Sequence, residues 1–192
     1  MVWLVKSVFK LLFAIFLRLE LINSENVPEK GAALICSNHP GSWDMFLIGC
    51  RLKRLTRFMA KEELFRNPVL KFILNRVGAF PVKRGKADVE SMKIAINLLK
   101  NGHIVAMFPE GTRTKNNGNK MRVGGGAALM AIRSGAPVIP VRIKGDYKLF
   151  GKMKVIFGTP YYIDADKDKI YPSSELKKIS EEIMKKSFEL SE

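Results

Sequence analysis

Histidine and cysteine are scarce here, with 2 of each in 192 residues. Cys36 and Cys50 lie in apolar runs without CxxC or paired spacing, which argues against a zinc site or a disulfide framework. They read as buried free thiols of a reducing compartment. No carboxylate cluster stands beside His39 or His103, so no metal site is expected; no cofactor is expected either. No GxSxG elbow occurs and neither cysteine has an evident activating partner, leaving no clear covalent nucleophile. Acidic residues are also few, 18 against 33 Lys and Arg, and the net charge is +15. An anionic partner follows. The basic residues are scattered and form no zinc-finger, RNA-recognition or basic-zipper signature, so an anionic membrane surface fits better than nucleic acid.

Long apolar runs are missing too. The longest unbroken one, residues 11–17, falls well short of the roughly 20 residues that span a bilayer. Residues 1–22 instead place Lys6, Lys10 and Arg18 on one side of a helix and Val5, Phe9, Leu12, Phe13 and Phe16 on the other. Such a stripe suits either an amphipathic helix lying in the membrane interface or a helix packed on a core. The basic residues sit inside the apolar stretch and no small-residue cleavage site follows, so a cleaved signal peptide is not expected. The division expected is a membrane-association helix over 1–22 and a single α/β domain over 23–192.

Within that domain, short apolar runs at 32–37, 56–60, 77–82, 103–108, 137–143 and 152–158 read as strands. Helical patterns at 44–51, 68–75, 87–99, 127–134 and 174–188 alternate with them. That alternation implies a largely parallel sheet covered by helices. Ligands of such sheets bind where strands end, and three polar clusters fall there: SNHPGSWD, KRGKAD and PEGTRTKNNGNK. Gly124–Gly126 lack the following Lys-Ser or Lys-Thr of a nucleotide-binding loop and read as a tight turn entering a helix.

In the first cluster, Pro40 biases His39 away from helix, Gly41 permits a reversal, and Ser42 can cap a helix starting at Trp43. Asp44, in the first turn, can then reach back to His39. A carboxylate on one ring nitrogen fixes the tautomer and leaves the other to take a proton from an alcohol; the plainer alternative is a pair that only caps the turn. In the other clusters, Lys83, Arg84 and Lys86, and Arg113 with Lys115, suit phosphate. Gly111 lets backbone approach a ligand and Thr112 adds a hydroxyl. Glu110, awkward beside an anion, is expected to orient Arg113 or the loop backbone.

NHPGSWD, GAFPVKR, FPEGTRT and VIPV, in this order between Leu34 and Val141, resemble the four sequence blocks of the glycerolipid acyltransferase family, especially its 1-acylglycerol-3-phosphate acyltransferases. The resemblance implies a mixed sheet with helices, and an enzyme that moves an acyl group from acyl-CoA or acyl carrier protein to lysophosphatidic acid. It implies His39 as general base with Asp44 its partner. Arg84, Glu110, Gly111, Thr112 and Arg113 would form the acceptor phosphate site, with Lys61 added as a basic residue. Pro140 would help shape the acyl or acceptor pocket. The setting implied is the cytoplasmic face of the cell membrane, with peripheral or monotopic attachment. The alternatives are acylation of glycerol 3-phosphate or another lysophospholipid, and a basic membrane-binding protein without chemistry.

Overall fold

The computed structural model describes residues 7, 17–82, 89–111, 123–145, 147, 148 and 150–191. Its strands, among these residues, are β1 (Leu17–Ile22), β2 (Ala33–Ser37), β3 (Thr56–Lys61), β4 (Phe80–Val82), β5 (Ile104–Met107), β6 (Val138–Gly145) and β7 (Gly151–Phe157). They form one sheet in the order β1-β7-β6-β2-β5-β3-β4. Only β6 and β7 pair antiparallel, because the short link from Gly145 to Gly151 suffices for a hairpin but not a crossover. The mixed, largely parallel α/β sheet is therefore as expected.

The helix expected over 1–22 is corrected at its end. Leu17–Ile22 form an edge strand parallel to β7, since LRLELI alternates apolar and charged residues, burying Leu17 and Leu19 and exposing Arg18 and Glu20. Of the stretch before it, all but Ser7 lies outside the described residues. No described helix is long and apolar enough to cross a membrane.

The α-helices lying wholly among the described residues are α1 (Asp44–Gly49), α2 (Pro68–Arg76), α3 (Val89–Lys100), α4 (Gly126–Ser134) and α5 (Ser173–Glu189). Gly126 opens α4, as expected of the glycine run. Alternation along the strands divides the core between two faces. On one, Ile35, Ile104, Ala106, Ile139, Val141 and Val155 pack with Leu47 and Ile48 of α1. On the other, Leu34, Cys36, Val105 and Val138 pack with Ala95 and Leu99 of α3, Met130 of α4 and Ile183 of α5. Ser187 of α5 donates its hydroxyl to the Cys36 carbonyl at 3.2 Å, fastening that layer to β2.

Strand register lines up the strand ends that precede the sequence clusters. Cys36 pairs with Met107, Phe58 with Ala106, and Lys61 with Val82. Extended to the strand ends, these registers put Asn38, Pro109, Lys61 and Val82 in one row at the carboxyl edge. Neighbouring strands lie about 4.8 Å apart, so the row from Asn38 to Lys61 spans about 10 Å.

Candidate active site

His39 leaves β2 at this edge, held by its neighbours. Asn38 continues the sheet with its side chain, donating from Nδ2 to the Ile143 carbonyl at 2.9 Å and accepting the Ile143 amide at 2.7 Å. The His39 amide donates to Oε2 of Glu110 at 3.1 Å, tying the β2 and β5 loops together. The imidazole stacks on Phe108, with centroids 4.1 Å apart and planes 11° from parallel. Backbone and ring are thus fixed from three directions.

His39 Nδ1 lies 2.6 Å from Oδ2 of Asp44. A carboxylate has no hydrogen to give, so Nδ1–H donates, and in the neutral ring that tautomer puts the lone pair on Nε2. The imidazole side chain is 9% exposed and that of Asp44 is fully buried. Two more donors satisfy the carboxylate: the Gly41 amide reaches Oδ2 at 2.9 Å, and the Tyr147 hydroxyl reaches Oδ1. Three donors replace the water that a buried carboxylate loses. Burial, and then the Asp44 charge, hold the Tyr147 phenol far above its ordinary range, so it remains a donor.

One expectation about this turn is corrected. The helix starts at Asp44, with Trp43 at its N-cap and no side-chain cap, so Ser42 does not cap it; Asp44 takes the Gly41 amide instead. Gly41 has no positive φ. It is needed because a Cβ there would lie 2.1 Å from Cε2 of Tyr147. Tyr147, between β6 and β7, is the site residue that sequence reasoning missed, since no spacing links position 147 to position 44.

A family model described as Acyltransferase matches residues 18–144. The chain belongs to this acyltransferase family. It is 37% identical over 149 residues to a 1-acyl-sn-glycerol-3-phosphate acyltransferase of Bacillus subtilis, covering 74% of this chain and 73% of that protein. A Streptococcus pneumoniae protein of the same description is 30% identical over 168 residues, 83% of this chain and 58% of its own length. The crystal structure of the 1-acyl-sn-glycerophosphate (LPA) acyltransferase PlsC from Thermotoga maritima superposes with a TM-score of 0.69 at 26% identity, covering 98% of this chain and 78% of that one.

The remaining expected residues of this acyltransferase divide. Glu110 is buried and accepts the His39 amide, so it holds the backbone of the His39 loop. Gly111, at φ 67°, makes the turn in which its amide donates to the Phe108 carbonyl at 2.9 Å, with open space where a Cβ would point. Lys61 ends β3 in the same row, exposed and 3.4 Å from Glu63. Arg84, Thr112 and Arg113 lie outside the described residues. Pro140 is not brought to His39. It shares a parity with Val138 and Arg142, whose partners lie on the α3–α5 side, and its Cγ would be 2.7 Å from a Cβ on Gly158. Its position is that of a packing residue opposite the site.

The two cysteines are free and buried. Burial raises the Cys36 thiol far above its usual range, which keeps it from acting as a nucleophilic thiolate.

Proposed function

We propose that this acyltransferase transfers a fatty acyl group from an acyl thioester, acyl-CoA or acyl carrier protein, to the free hydroxyl of 1-acylglycerol 3-phosphate, forming phosphatidic acid. The 2.6 Å contact between His39 Nδ1 and Asp44 Oδ2 carries the reading. It leaves Nε2 as the base and stabilises the imidazolium formed when that base takes a proton. The hydroxyl oxygen attacks the thioester carbonyl carbon, the C–S bond breaks, and the proton passes from His39 to the departing thiolate. No covalent enzyme intermediate is needed.

The acceptor phosphate is assigned to Arg84 and Arg113, with Thr112, Gly111 and Lys61 near it, on the chemistry of paired guanidinium–phosphate contacts. Glu110 serves this site by holding the His39 loop. With a net charge of +15, an anionic bilayer at the cytoplasmic face is the setting proposed, and attachment there is peripheral or monotopic.

Thiol release with lysophosphatidic acid and acyl-CoA or acyl carrier protein tests the reaction. His39→Ala should fold normally and lose turnover by about 100-fold or more; retained turnover removes His39 from the chemistry. Arg113→Ala should raise the apparent KM for the phosphorylated acceptor. A change confined to the acyl donor's KM would refute the phosphate assignment.

A further inference from the structure

Helix α2 turns its apolar side outward. Asn67 caps it, accepting the Val69 and Leu70 amides at 3.0 and 3.1 Å, and Pro68 begins it. The helix buries only Leu74, against Ala60 and Ala79. Val69 is 65% exposed and Phe72 51%, with Leu70, Ile73 and Leu64 of the preceding turn also exposed. A contiguous apolar surface of this kind marks an interaction site.

Cations surround it. Lys61, Arg66, Lys71 and Arg76 are exposed in this segment, against the carboxylates of Glu62 and Glu63. Arg76 lies over the Phe72 ring at 5.0 Å. Aliphatic stems along apolar surface with charged ends outward suit the boundary between acyl chains and headgroups.

The helix also lies on the side of the sheet that carries the site. Ala60 packs under α2 and alternates in phase with Phe58, which belongs to the same core face as Ile35 and Ala106, beside Phe108. Phe108 stacks on His39. Trp43, next to Asp44, is 49% exposed on this face and adds an amphipathic ring of the type found at membrane interfaces.

We infer that α2 is a bilayer-contacting element, inserting Val69, Leu70, Phe72 and Ile73 into an anionic leaflet on the side of the sheet that holds His39. The inference rests on the membrane-surface reading above and names the face that meets the lipid. Anionic headgroups complement the flanking cations. A second copy of this chain would instead oppose like charges across a two-fold axis.

The test uses the full chain and flotation with vesicles of phosphatidylcholine and phosphatidylglycerol in equal parts. Phe72→Ser with Ile73→Ser should lower the bound fraction at least about tenfold, from the apolar area withdrawn. Lys71→Glu with Arg76→Glu, a charge change on exposed side chains, should weaken binding and flatten its salt dependence. Both variants should keep wild-type turnover on a short-chain, monomeric acceptor.

If the wild type itself does not float, the membrane reading fails. If it floats and both variants float equally well, this inference alone fails. A wild-type dimer that the serine variant converts to monomer, with flotation intact, would make the face a self-interface and overturn the proposal. A large drop in melting temperature with flotation intact would also overturn it, by showing that the chain's own N-terminal segment covers the helix.

Discussion

Tyr147 donates its hydroxyl to Oδ1 of Asp44, the carboxylate whose Oδ2 holds the His39 ring. The phenol therefore fixes the plane of the carboxylate that in turn fixes the imidazole. Tyr147→Phe keeps the ring packed on Gly41 and removes only that hydrogen bond. A bond to a charged group contributes about 1.5–3 kcal/mol, so kcat should fall roughly 10- to 100-fold with little change in either KM. Steady-state kinetics checks this, and the same substitution in an Asp44→Asn background should cost much less. Equal losses in both backgrounds would mean that Tyr147 acts elsewhere.

Much of this arrangement was legible in the sequence, and the exceptions have physical causes. Local chemistry revealed the His39 turn, because Pro40 and the five-residue spacing to Asp44 act within one loop. Periodicity revealed strands β2 to β7 and helices α1 to α5 to within a few residues. It misjudged Leu17–Ile22 because an apolar stretch with a few charges fits both periods when short, and pairing with β7 decided between them. Tyr147 was invisible because its partner lies 103 positions away. Pro140 lies on the face of β6 turned away from His39, a parity that a sequence block, which records only neighbours in the chain, does not reveal.

Gly41 gives a second prediction, since its missing Cβ makes room for the Tyr147 ring. Gly41→Ala forces the phenol or the turn to shift, and overpacking of this kind costs about 1–3 kcal/mol. Activity should fall alongside stability as Asp44 loses its register with Tyr147 and the Gly41 amide. In a Tyr147→Ala background the clash disappears, so the added cost of Gly41→Ala should shrink to a few tenths of a kcal/mol. Chemical denaturation of the four proteins measures the cycle. Additive losses would place the strain outside this pair.

Alkaline stability provides the last prediction. Burial raises the Cys36 thiol above its ordinary 9.0, and raises the Tyr147 and Tyr161 phenols above their ordinary 10.0. In each case the folded protein keeps a proton that the unfolded chain gives up as pH rises. The unfolded state then binds fewer protons than the native state, so unfolding free energy decreases with pH. The stability is fully present below about pH 9 and is lost above it, first through Cys36 and then through the tyrosines. One such group contributes a slope of up to about 1.4 kcal/mol per pH unit. Urea midpoints between about pH 8 and 11 should fall accordingly, and Cys36→Ala should flatten the onset near pH 9 whatever its effect on absolute stability. A wild-type midpoint that stays level across that interval would mean that Cys36 and the two phenols ionise as readily in the folded protein as in the unfolded chain.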